Sequence, residues 1–254
     1  MTLIAKSGSI DLMAKMEAAA RAAGFRVERF GEIEGCPLVA LTKRTPGVRP
    51  RIYVSAGIHG DEPAPPQALL ELIEAGVFDQ RAVWFLCPLL NPAGLARGTR
   101  ENASGADLNR DYRGLASAEV RAHVAWLRRQ PNFDVTLALH EDWEASGFYL
   151  YEQNPERRPS LAGPMLAAAG RACPIDPSEL IDGREAKGGI IHPTGDLFQR
   201  ELWPESIYLR QHHPTLAYTL ETPSGLPLAP RVRALRLAVE AAIDGLIRPS
   251  SERS

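Results

Sequence analysis

The sequence has no apolar run of the roughly 18 residues that a membrane-spanning helix needs. Its N-terminal stretch, MTLIAKSGSIDLMAKMEAAARAAG, has no apolar segment of signal-peptide length behind its one early lysine. Both absences predict a cytoplasmic protein with no membrane partner. Cysteine is scarce. Cys36, Cys87 and Cys173 are odd in number, widely spaced and without a CxxC pair, which argues against a disulfide framework. Cys87, inside the apolar run AVWFLC, is expected to be a buried core thiol. Charge of one sign is not in excess either. The 29 basic and 31 acidic residues are interspersed and leave a net charge of −2, so no field draws nucleic acid or an anionic membrane. Small molecules and peptides remain as partners.

What is present is a globular composition, 44% apolar and 24% charged over 254 residues, enough for a sizeable core. No compositional boundary or internal repeat divides the chain, so residues 1–254 are read as one catalytic domain. Apolar residues from Ile10 to Ala23 recur at helical spacing and Gly24 ends the pattern, which predicts an amphipathic helix. The period then changes. Phe25 to Phe30, Leu38 to Thr42, Arg51 to Ala56, Ala82 to Cys87, Val135 to Leu139 and Ala217 to Leu220 are short, apolar or β-branched segments, and they read as strands. Helices are predicted at Ala64–Ala75, Ala116–Arg129, Ser160–Ala172 and Pro230–Ile247. Strands alternating with helices indicate an α/β domain with a mostly parallel or mixed sheet covered on both faces. Residues 173–214 are poorly periodic and rich in Pro, Gly and charge, the composition of a long functional loop.

The strongest local signal is the strand RIYVS running through Ala-Gly-Ile into His59 and, three residues on, Glu62. A second strand, VTLAL, ends in His140. Open α/β sheets gather their sites at the carboxyl ends of strands, where loops converge without disturbing the core. Two histidines and a carboxylate are the ligand set of a catalytic zinc site with one position left for water or a substrate oxygen; the same donors also suit other first-row metals. His123, His192, His212 and His213 lack a strand-end setting and are taken as non-ligands. The strand Ala217–Leu220 delivers Glu221, a carboxylate placed to take a proton from a metal-activated water. The polar segment Gly98–Tyr112 and its surroundings carry Arg97, Arg100 and Arg110, whose forked guanidinium suits a substrate carboxylate or a developing oxyanion. A serine-nucleophile reading through Ser55 or Ser146 is poor, because no GxSxG-like elbow exists.

In order along the chain, HGDE, NPAG, GTRENASGADLNRDY, LHED and LETP resemble the motifs of the zinc carboxypeptidase (carboxypeptidase A-like) superfamily, over about two thirds of the chain. The resemblance implies a three-layer α/β/α sandwich with a mixed, mainly parallel sheet of about eight strands. It implies one zinc ion on His59, Glu62 and His140, with Glu221 as general base. It also implies that Asn109 and Arg110 grip a substrate carboxylate, and that Arg100 or Arg97, with Arg100 preferred, stabilises the oxyanion. Tyr208 stands in for the family's mobile tyrosine, at a spacing to Glu221 shorter than the usual pattern, and Asp107 anchors the arginine turn. Two branches compete. One is the peptidases, including bacterial murein peptide amidases; the other is the succinylglutamate desuccinylase and aspartoacylase group, which hydrolyses N-acyl amino acids. The deacylases usually carry an extra C-terminal β-rich domain, whereas this sequence continues only about 30 residues past Glu221, which favours the compact peptidase branch. A catalytically silent metal- or peptide-binding protein on the same fold is the alternative of another class. A silent member would normally have lost a ligand, the base or an arginine, and none is missing.

Overall fold

In the computed structural model, which describes residues 3–213 and 216–247, α1 (Leu3–Ala22) leads into a hairpin of β1 (Arg26–Ile33) and β2 (Cys36–Lys43). Then come β3 (Arg51–Ser55), α2 (Ala64–Glu74), β4 (Val83–Cys87), α3 (Pro92–Arg97), α4 (Ala118–Leu127), β5 (Val135–Asp142), β6 (Tyr149–Gln153) and α5 (Ala162–Ala169). Three short strands, β7 (Leu180–Ile181), β8 (Arg184–Lys187) and β9 (Ile190–Ile191), precede α6 (Glu205–His212), β10 (Leu216–Pro223) and α7 (Leu228–Ile247).

The strands form a single ten-stranded sheet in the order β1-β2-β4-β3-β5-β10-β6-β9-β8-β7. The middle four, β4, β3, β5 and β10, run parallel, while antiparallel pairs flank them toward both edges. The sheet therefore exceeds the expected eight strands. The surplus lies in the ribbon β7–β9 within residues 173–214, of which residue 214 is outside the described part. Strands of two to four residues punctuated by Gly183, Gly188 and Gly189, all at positive φ, leave no periodicity to read. At the other edge β1 and β2 are joined by Glu34 (φ 50°) and Gly35 (φ 81°), a two-residue turn whose left-handed backbone matches the twist of a hairpin.

Alternation along the central strands sorts side chains between two cores. Ile52 and Val54 of β3, Trp84 and Leu86 of β4, Leu137 and Leu139 of β5 and Leu220 of β10 pack under α1, α2, α5 and α7. Tyr53, Phe85 and Cys87 face the opposite side, against α4 and α6 through Val124, Trp126, Ile207 and Leu209. This is the three-layer arrangement, and Cys87 is fully buried in it. By the same alternation His140 and Glu221 fall on the α4/α6 side, at the carboxyl ends of adjacent parallel strands. Among the described residues no helix is long and apolar enough to cross a membrane.

Candidate functional site

Two loop crossings build the site from below. His59 lies in the loop between β3 and α2, and that loop passes α3 at backbone contact: a Cβ on Gly60 would lie 1.9 Å from the Gly94 carbonyl carbon. Only glycine permits this approach, which ties the HGDE segment to the NPAG segment. Asn91 caps α3 by accepting from Gly94 N (2.8 Å), and Gly98 (φ 64°) ends it. Glu62 is followed by Pro63, and prolines at the first turn of α2 forfeit only backbone N–H groups that the helix could not use. Ala64 N donates instead to the buried Glu141 carboxylate at 2.5 Å, and Arg231 of α7 closes on the same carboxylate. The residue after His140 thus fixes the helix that follows Glu62.

His59, Glu62 and His140 are buried and converge, their ligand atoms within 4.8 Å of one another. Glu62 is shared: Oε1 lies 2.5 Å from His59 Nδ1 and Oε2 lies 3.1 Å from His140 Nδ1. On the far side of its ring, His59 Nε2 is 3.2 Å from Asp107 Oδ1. If that nitrogen carries the neutral ring's only proton, Nδ1 turns a bare lone pair toward the Glu62 oxygen. Two lone pairs in contact require a cation between them, either a proton or a metal ion. The titration of the cluster says the same. Burial alone would lower both histidines and raise Glu62; their mutual attraction outweighs it, raising His59 and His140 and bringing Glu62 down to about 2. The donor set therefore fits a divalent ion.

Glu221 pairs across the sheet with His140 in register, on the cleft face. Burial pushes its carboxyl up to about 8, with His140 pulling the other way and Glu62 and Asp142 adding to the rise. Arg100 sits beside the cluster, its Nε donating to Asp107 Oδ2 (3.0 Å) and its Nη1 lying 3.8 Å from Glu62 Oε1. Asp107 also accepts from Asn109 N (2.9 Å), opening a one-turn 3-10 helix, Leu108–Arg110. One carboxylate thus joins His59, Arg100 and the arginine turn. Burial alone would raise it, but the His59 hydrogen bond and the charges of His59, Arg100 and Arg110 outweigh this and hold it well below the usual carboxylate range. Asn109 and Arg110 line the same cleft as His59, Glu62, His140, Arg100 and Glu221.

Two expected site residues lie elsewhere. Arg97 turns out to the surface, where its Nη2 donates to both oxygens of Glu34 at 2.9 Å. Tyr208 is 2% exposed on α6, packed against Tyr112 and His212, and does not line the cleft. Both are corrected by placement: Arg97 is occupied by Glu34, and Tyr208 faces the α4-side core. The tyrosines that do line the cleft are Tyr149 and Tyr151 of β6. Residues 173–214 contribute cleft walls, through Asp182, Arg184, Pro193, Leu197 and Arg200.

Sequence reasoning also missed Glu205. It is 1% exposed beneath the cleft, accepts from Tyr53 Oη (2.6 Å) and Ser55 Oγ (2.8 Å), and its backbone N donates to Asn109 Oδ1 (2.9 Å). Burial pushes its carboxyl up, opposed by those two hydrogen bonds and by His140 nearby. Since Tyr53 spends its proton on Glu205, its oxygen accepts from His123 Nε2 (3.0 Å), and His123 Nδ1 accepts from Tyr112 Oη (2.7 Å). The chain of bonds closes only for a neutral His123 protonated at Nε2. So His123, taken as a non-ligand, is 1% exposed in α4, and burial pushes it down to about 3. Its native pKa lies below the ordinary 6.5, so the neutral form stabilises the fold above pH 6.5 and that contribution is lost as pH falls toward 3. Urea denaturation at pH 7, 6, 5 and 4 should show the wild type losing stability relative to His123→Gln by up to about 1.4 kcal/mol per pH unit. A pH-independent difference between the two proteins would refute the buried neutral state.

The overall architecture is that of metallo-carboxypeptidases. A candidate metallopeptidase from Shewanella amazonensis SB2B superposes with a TM-score of 0.81 at 25% identity, covering 92% of each chain. Another from Shewanella baltica OS155 gives 0.76 at 25% identity, covering 93% of this chain and 90% of its own. The metallo-carboxypeptidase of Burkholderia cenocepacia shares the fold at a TM-score of 0.65 and 22% identity, over 91% of this chain and 66% of its own. No functionally curated protein matches the sequence significantly. The profile of the succinylglutamate desuccinylase/aspartoacylase catalytic domain matches residues 48–176, just over half of the chain. The protein belongs to that family of hydrolases, within the carboxypeptidase A-like superfamily.

Proposed function

We propose that the protein is a zinc-dependent hydrolase that cleaves an amide bond next to a free carboxylate, with the whole chain acting as one catalytic unit. The observation that carries this reading is the register of β10 on β5, which sets Glu221 beside His140 on the face where His59 and Glu62 converge. His59, Glu62 and His140 would hold one zinc ion, which when bound polarises the scissile carbonyl and acidifies water. Glu221 takes the proton of the attacking water and returns it to the leaving amine. A carboxyl raised toward neutrality is matched to both transfers. Arg100 supports the negative charge that develops on the carbonyl oxygen, held in place by Asp107. Arg110 and Asn109 bind the substrate's carboxylate. Asn109 has its side-chain oxygen occupied by Glu205 N–H and so offers its amide hydrogens. A second reading, also in keeping with the family profile, is an N-acyl amino acid deacylase of the succinylglutamate desuccinylase/aspartoacylase type.

Metal analysis of the purified protein, with amine release from free-carboxylate peptides and from N-acyl amino acids, tests both. The peptide panel includes a γ-D-glutamyl-diaminopimelate peptide. About one zinc per chain with chelator-sensitive peptide cleavage supports the peptidase; release from acyl amino acids alone supports the deacylase. Absence of both metal and hydrolysis would leave a peptide-binding protein on this fold.

A further inference from the structure

Glu205 is a buried carboxylate that the proposed chemistry leaves unused. Its neighbours Pro204, Ser206 and Ile207 line the cleft, whereas Glu205 lies beneath it at 1% exposure. No lysine or arginine among the described residues pairs with it, and an apolar side chain in the same space would cost the fold less. Packing alone therefore does not account for it. What the carboxylate does is tie α6 to β3, accepting from Tyr53 Oη at 2.6 Å and from Ser55 Oγ at 2.8 Å. Ser55 ends β3, four residues before His59. As the first residue of α6, Glu205 also has a backbone N–H with no acceptor inside the helix, and that N–H meets Asn109 Oδ1 at 2.9 Å. A second path closes the ring: Tyr53 accepts from His123, His123 accepts from Tyr112, and Tyr112 N donates to Trp203 O at 3.2 Å, two residues before Glu205.

We propose that Glu205 is a positioning residue, which sets the turn carrying Asn109 and Arg110 at a fixed distance from the strand that leads to His59. Asp107 links the same turn to His59 directly, and Glu205 supports it from below. The bond to Asn109 Oδ1 also decides which end of that amide is free, so the donor end stays available to a substrate carboxylate. The proposal deepens the hydrolase reading, because the position of the cleaved bond relative to the carboxylate then depends on Glu205, and it rests on that reading's placement of the carboxylate. The role is geometric. A glutamine fills it, its oxygen accepting from Tyr53 and its amide donating to the Ser55 hydroxyl oxygen, whereas a leucine of similar size does not.

Calorimetric titration of the zinc-loaded protein at pH 7 tests it. The ligands are ketones in which a methylene replaces the amide N–H of N-acetyl-leucine, N-acetylglutamate and N-acetyllysine, so that nothing is cleaved, each compared with its own α-carboxamide. The wild type should bind at least one free carboxylate about ten-fold or more tighter than the matching carboxamide, the worth of one charge-assisted hydrogen bond. Glu205→Leu should cut that preference by about five-fold or more and Ser55→Ala by about two-fold or more, while Glu205→Gln keeps it, all with the zinc content of the wild type. Ser55→Ala decides the matter should the leucine variant not fold. Equal weakening of carboxylate and carboxamide, loss of zinc along with affinity, or a glutamine variant as impaired as the leucine one overturns the proposal. A wild type without carboxylate preference refutes the placement of the carboxylate and the proposal with it. A wild-type preference that survives in both Glu205→Leu and Ser55→Ala refutes the role of Glu205 alone and leaves the hydrolase reading standing.

Discussion

Replacing Glu221 by Gln is expected to lower kcat by about 10²- to 10⁴-fold while the purified protein still carries its metal. The glutamine side chain keeps the volume and one oxygen of the original, so the packing of β10 between β5 and β6 has no reason to change. What it loses is the capacity to accept a proton and hand it on. Glu221 is not in the group of converging ligand atoms, which consists of His59, Glu62 and His140, so metal content should equal that of the wild type. KM should move little, because the groups assigned to substrate binding are Asn109 and Arg110 on a separate turn. Metal analysis together with steady-state kinetics checks all three statements. A variant with full metal and undiminished kcat would remove Glu221 from the reaction.

His140→Ala should have a different signature, loss of stoichiometric metal. Removing the imidazole leaves Glu62 with one histidine partner in place of two and opens a gap at the end of β5. In the wild type, chelation should lower thermal stability, since an ion that binds only the folded chain contributes about 4 kcal/mol at a free concentration of a thousand times its Kd. In His140→Ala that chelator-dependent shift should vanish together with turnover, while circular dichroism stays that of the chelated wild type. A variant that retains metal and a chelator-sensitive melting temperature would show that the ion is held elsewhere.

Much of this site was legible in the sequence because the information is local. Short β-branched segments leading into His59, His140 and Glu221 state both that a strand is present and which residue it delivers, and the layered fold follows from strands alternating with helices. The unread parts depend on partners far along the chain. In β6, Tyr149, Leu150 and Tyr151 look like a brief apolar run in acidic surroundings; only pairing with β10 separates Leu150 from the two cleft-lining tyrosines. α3 has six residues, too few for a periodic pattern, and is defined by Asn91 at one end and Gly98 at the other. Glu205 resembles any helix-starting acid until Tyr53 and Ser55 are found against it. Tyr208 was expected in the cleft from the resemblance alone, despite a spacing to Glu221 shorter than the usual pattern, and position in the sequence does not report which face of α6 a side chain occupies.

The bond between Tyr53 and Glu205 joins residues 152 positions apart. Loop-closure entropy makes such contacts late to form, and here the late contact lies directly under the cleft. During synthesis the loop bearing His59 and Glu62 leaves the ribosome long before Glu205 is made, so the early chain has one candidate ligand pair but neither the cleft wall nor the strand that carries Glu221. Competence for the proposed hydrolysis is thereby deferred until the strand carrying Glu221 has been made, and a chain terminated before it is released without it.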